Sequence, residues 1–259
     1  TAFDALVYHL AVPDRWIARG RMVDLSFNQY ARQSLNLHVL YTLGMLMAND
    51  RVPALIHWGC GVLAGAGVWA AGRRMGSPSA GALAAVTLIT TPKIAGLAGP
   101  PMTDLAVIAL QVCAFLAWLN WHKGRQAGPP RRAGWMLVAG VLAGGAGCVK
   151  YHGFIVLPAL LVATALASRR PDGGSMARAI GAGLAGAALA ILPWAIRAAA
   201  WRTAGAGVVE MVTGYTLPGQ AGVSPAPPVG WEGWVGLIRL PWDLTMDEVR
   251  FGGGLLGPV

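Results

Sequence analysis

Six apolar runs separated by short loops limit what this chain can fold into more than any other feature. They cover Val52 to Gly72, Ala80 to about Leu97, Met102 to Trp121, Ala133 to Val149, Phe154 to Ala167 and Ala179 to Ile196. A helix needs about 20 mainly apolar residues to cross a hydrocarbon core about 30 Å thick. Inside that core every backbone polar group has to be satisfied within the protein. The runs therefore predict an all-α, polytopic membrane bundle of about six helices. Those starting at Ala133 and Phe154 are short, and tilt or local thinning must make up the difference. Only 12% of the residues are charged, where a soluble domain carries about a quarter, and 55% are hydrophobic.

The net charge of +9 would suit a nucleic-acid partner, but its placement excludes one. Arg73 and Arg74 lie in one short loop. Lys123, Arg125, Arg131 and Arg132 lie in a second, and Arg169, Arg170 and Arg178 in a third. Six crossings put all three loops on one face, and a bias of this kind marks the cytoplasmic side. Asp172 is the lone acid there, so nearly all the net charge is topological. With Arg73 inside, the run from Val52 enters from outside. Asp4, the Lys93 to Asp104 turn, the Lys150-Tyr151-His152 junction and the tail from Arg197 then share the external side.

Before the bundle, residues 1–50 read as an external loop with juxtamembrane helices. Phe3, Leu6, Val7, Leu10 and Ile17 follow a helical face that Pro13 interrupts. Gly20 to Arg32 reads as a loop, and Ser34 to Ala48 is too short to cross. Residues 51–200 form the bundle, and 201–259 read as an interfacial loop rich in Trp, Pro and Gly. The opening at Thr1 and the apolar close Gly-Leu-Leu-Gly-Pro-Val lead us to expect a piece of a longer protein. Gly-Val-Leu-Ala-Gly recurs at Gly61 to Gly65 and at Gly140 to Gly144, and small residues four apart allow close helix packing. Cys60, Cys113 and Cys148 share no ligand spacing and read as small core residues.

Two carboxylates are the candidates for chemistry. Asp104 in Pro100-Pro101-Met102-Thr103-Asp104 opens an apolar helix, where an acid also serves as a cap or first-turn residue. Asp4 could likewise cap the first helix. Carboxylates at the ends of apolar helices are expensive unless paired, hydrated or used. They suit a base that deprotonates an acceptor, or a ligand for a divalent cation that neutralises phosphate. Lys150, Tyr151 and His152 read either as a polar turn with a snorkelling Lys or as phosphate and substrate contacts. Lys93 is a weaker candidate of the same kind. His9 and His38 have no ligand spacing for a metal, and His57 and His122 read as interfacial residues. There is no phosphate-binding glycine loop, dinucleotide fingerprint or zinc-protease motif.

The segment Phe3-Asp4-Ala5-Leu6-Val7-Tyr8-His9-Leu10-Ala11-Val12-Pro13 resembles the acidic first-loop motif of the GT-C membrane glycosyltransferases. The similarity is to family 39, the branch holding the lipid A aminoarabinose transferase and the protein O-mannosyltransferases. Tyr30 to Tyr41, Met45 to Arg51, Arg73-Arg74 and Thr103-Asp104 follow in the order that family shows. The resemblance implies transfer of a sugar from a polyprenyl-phosphate donor to a lipid, glycan or protein acceptor. It implies Asp4 as the base or metal-associated group and Asp104 as a second external carboxylate. Tyr8, His9, Lys93, Lys150, Tyr151 and His152 follow as substrate contacts, with a divalent cation as the one candidate cofactor. Many relatives carry a second acid where Ala5 stands. The expected location is a bacterial plasma membrane with the site facing outside. A non-catalytic scaffold among other membrane subunits is the alternative, and a transporter is a third reading. The third is disfavoured because the charges sit at span ends and not at the midplane.

Overall fold

The computed structural model describes residues 3–23, 25, 28–124, 129–167 and 173–201. All regular structure among the described residues is helical. A π-helical turn, Ala5–His9, leads into α1 (Ala11–Arg19), and a 3-10 turn, Gln29–Arg32, precedes α2 (Asn36–Met47). Then come α3 (Val52–Met75), α4 (Pro78–Thr90), α5 (Pro92–Leu97), α6 (Asp104–Lys123) and α7 (Pro129–Val149). A second 3-10 turn, Tyr151–Ile155, joins α7 to α8 (Val156–Ala167), and α9 (Gly173–Trp201) closes the described chain. The interfacial reading of residues 202–259 and much of the basic loops lie outside the described residues.

Among the described residues three helices are long and apolar enough to cross a membrane, in Val52–Met75, Asp104–Lys123 and Met176–Ala200. Pro78–Thr90, Ala133–Val149 and Tyr151–Ala167 are apolar but shorter. The expected single run from Ala80 to Leu97 is instead two helices. Thr91 leaves the helical region (φ −57°, ψ 125°) ahead of Pro92, as a residue before proline is driven to do. The break expected at Pro13 falls at Leu10. Pro13 sits in the first turn of α1, where its missing N–H breaks no helical hydrogen bond.

Among the described residues four buried clusters order the bundle from end to end. At one end Val12, Trp16, Leu35, Cys148 and Trp194 join the amino-terminal segment to the close of α7 and α9. Next to them Leu37, Tyr41, Ala106, Val107 and Val149 join α2, the start of α6 and the end of α7. Ala114, Ala117, Ala139, Ala143 and Leu160 fill the middle, and Trp121, Met136 and Ala179 close the far end. Helix starts and stops thus alternate between two ends, with Arg73 and Arg74 in the last turn of α3.

The helices approach closely where both surfaces are small. A Cβ on Gly140 would run into the Gly183 carbonyl, and one on Gly144 would meet the Ala187 carbonyl oxygen at 2.8 Å. The Gly140/Gly144 pair therefore seats α7 on α9. The matching pair in α3 behaves differently, since Gly61 and Gly65 face the side chains of Leu105 and Ile89. In α3 the backbone contact is Gly72 against Gly81 of α4.

Candidate active site

Asp104 is the first residue of α6, after Thr103, whose side chain makes no capping bond. The acid therefore sits in the first turn, as one sequence reading held. Its Oδ1 accepts a hydrogen bond from Lys150 Nζ at 2.8 Å, and both side chains are about a quarter to a third exposed (26% and 31%). Lys150 stands in extended backbone (φ −154°, ψ 133°) just beyond α7. Leaving the helix there turns its ammonium toward α6.

The backbone carrying Asp104 is tied from two neighbouring helices. Tyr41 of α2 donates its hydroxyl to the Met102 carbonyl. His57 of α3 is fully buried, with Nδ1 3.0 Å from the Pro100 carbonyl oxygen and Nε2 3.1 Å from the Leu105 amide nitrogen. The interfacial reading of His57 is thus corrected. It lies on the inner face of α3, and its ring nitrogens are engaged by protein groups. His122 is partly buried and stacks on Trp118 at 5.2 Å between ring centroids.

The amino-terminal segment arrives at the same end of the bundle. Asp4 precedes the π-helical turn, is partly buried, and makes no side-chain capping bond. Tyr8 stacks on Tyr30 at 4.7 Å and lies 4.0 Å from the His9 ring. Burial pushes the Tyr8 phenol up, and the charges of both Asp4 and Asp104 push it further. Tyr8 is therefore within electrostatic reach of both carboxylates, which are a hundred positions apart in sequence. His9 Nδ1 lies 2.9 Å from His38 Nε2 in a buried pair. Burial drives His9 down to about 3, with Lys150 and His57 adding in that order, and it holds His38 well below its ordinary value.

Four further contacts hold this end together, and sequence reading singled out none of them. Asn36 donates to the Gly145 carbonyl at 3.3 Å and accepts from Trp194 Nε1 at 2.5 Å. The Arg197 guanidinium lies 4.4 Å from the Trp194 ring centroid and donates to the Gln33 carbonyl. A polar residue at the head of α2 and an arginine closing an apolar run were the available signals.

Of the expected site residues, Asp104 and Lys150 are in direct contact, and Tyr8, His9 and Asp4 lie at the same end. Tyr151 and His152 are exposed beside Lys150, with rings packed edge to face at 5.8 Å. Lys93 is exposed on α5. Among the described residues no three His, Cys, Asp or Glu side chains converge on a metal position. The cation the structure places at Asp104 is the Lys150 ammonium, 2.8 Å from Oδ1, and no step below is routed through a metal.

A comparison with protein families matches residues 52–206 to the model described as dolichyl-phosphate-mannose-protein mannosyltransferase. No curated protein and no solved structure matches the chain.

Proposed function

The chain belongs to the dolichyl-phosphate-mannose-protein mannosyltransferase family, membrane glycosyltransferases of GT-C type, and from that membership we propose that it moves a sugar from a polyprenyl-phosphate donor to an acceptor hydroxyl at the Asp104 end of the bundle. Asp4 takes the proton of the acceptor hydroxyl as its oxygen attacks C1 of the sugar. The bond from C1 to the phosphate oxygen breaks, the anomeric configuration inverts, and the lipid phosphate leaves with the bonding pair. Lys150 neutralises that phosphate, and a charge-assisted hydrogen bond from an ammonium serves this purpose well. Asp104 holds Lys150 in place and contributes to acceptor binding, with Tyr8 in the electrostatic field of both carboxylates. Tyr151, His152 and Lys93 line the approach on the external side of the membrane.

The observation that carries this reading is the ion pair of Asp104 with Lys150 at the end where Asp4 and Tyr8 also lie. An acid and a base held together beside the ends of apolar helices suit a substrate that is charged at its head and greasy behind it. The test uses the full-length protein in liposomes with dolichyl-phosphate mannose, following release of dolichyl phosphate in the presence of membrane acceptors. Release that depends on the protein and is strongly reduced in Lys150→Gln supports the proposal. Equal release from wild type and the variant removes Lys150 from it. No release with any lipid-phosphate sugar favours the scaffold alternative.

A further inference from the structure

We infer that His57 is a positioning residue for Asp104, acting as a cap that one helix lends to another. The inference rests on the proposed role of Asp104. Four amides at the start of any helix lack partners within it. At the start of α6 the usual remedy is missing, because the Thr103 side chain makes no capping bond. The Leu105 amide, second in the helix, goes instead to His57 Nε2 at 3.1 Å.

The two contacts select one tautomer of the imidazole. The Leu105 amide can only donate, so Nε2 must accept and carries no proton. The Pro100 carbonyl can only accept, so Nδ1 carries the proton and donates across 3.0 Å. His57 is therefore neutral in its Nδ1–H form, with both nitrogens satisfied at a fully buried site. One rigid ring grips the chain on either side of Asp104, four residues before it and one after. Tyr41 holds Met102 between them. The carboxylate direction toward Lys150 is thus set by a five-membered ring on α3, which has no contact with the reacting atoms.

A buried histidine that merely fills space would need neither tautomer. The test uses full-length protein in nanodiscs, with 15N-labelled histidine and transfer from dolichyl-phosphate mannose as the two readouts. The variants are His57→Phe, His57→Asn, His57→Gln and Asp104→Asn. The His57→Phe spectrum assigns the His57 signals by their loss. In wild type they should show a protonated Nδ1 and an unprotonated, hydrogen-bonded Nε2. Loosening Asp104 by even a fraction of an ångström should lower kcat at least about ten-fold in His57→Phe. Gln presents an acceptor near the Nε2 position and Asn a donor near the Nδ1 position, so each should recover part of kcat, Gln more. Should the Phe variant not fold, Asn alone decides, with a kcat reduced about five-fold. An Nε2–H tautomer overturns the inference. So does wild-type kcat in the His57 variants while Asp104→Asn is inactive. Full activity in Asp104→Asn would instead sink the role of Asp104 and, with it, this inference.

Discussion

Lys150 Nζ reaches Asp104 Oδ1 at 2.8 Å, joining the turn after α7 to the first residue of α6 across 46 positions of sequence. Each is the other's charge partner at a surface where water is limited. Removing the cation leaves a carboxylate that is nearly three-quarters buried without its counter-charge.

Lys150→Met should therefore cost stability as well as function. A hydrogen bond to a charged group contributes about 2 kcal/mol, and the partial exposure of both side chains reduces that figure. Thermal unfolding in detergent should fall by a few degrees. The donor KM should rise at least about ten-fold, and Lys150→Arg should restore much of it. A variant with unchanged KM would place the donor phosphate elsewhere.

The His9–His38 pair makes the amino-terminal end sensitive to acid. His9 is pushed down to about 3 from 6.5 in the folded protein. A group with a depressed folded value contributes stability that is complete above about pH 6.5 and is lost as pH falls toward 3, because the unfolded chain binds the proton first. His38 is shifted in the same direction. The unfolding midpoint should drop between pH 7 and pH 4.5, and replacing both residues with Gln should flatten that slope. An equally steep slope in the double variant would assign the loss to other groups.

Gly140→Leu should disrupt the seat of α7 on α9. No space exists beside the Gly183 carbonyl, and overpacking of a close contact costs about 1–3 kcal/mol. Gly181→Ala is the control, because nothing lies within 4 Å of a Cβ there. Unfolding temperatures should separate the two variants clearly.

With Lys150 beside Asp104 and no convergent ligand set among the described residues, transfer should proceed in the presence of a chelator. Initial rates with and without EDTA should agree within about two-fold, a difference well under 1 kcal/mol. A loss restored by added divalent cation would show that a metal neutralises the phosphate.

The bundle was legible because apolar runs of spanning length leave few options, and the placement of Asp4 and Asp104 at one end of it followed from where the arginines lie. The helix break at Thr91-Pro92 was missed, because the apolar run on both sides outweighed the proline signal. The Asp104–Lys150 pair was half visible. Both residues stood out as charges at span ends, yet nothing in either run says which span ends meet. His57 was misread because a histidine near the head of an apolar run looks like an interfacial residue. Its position on the sixth residue of α3, past the first turn, was the clue to an inward face. Asn36, Trp194 and Arg197 escaped notice because their partners are chiefly backbone carbonyls and one another, which no spacing records.

The most direct measurement is the initial rate of sugar transfer from a lipid-phosphate donor by Asp4→Asn and Asp104→Asn, each in the full-length protein and in the same liposomes as wild type. Removing a general base typically costs about 10²–10⁴ in rate, so Asp4→Asn should lose at least about a hundred-fold with the donor KM little changed. Asp104→Asn should lose rate and donor affinity together through Lys150. Wild-type rates in both variants would contradict the account.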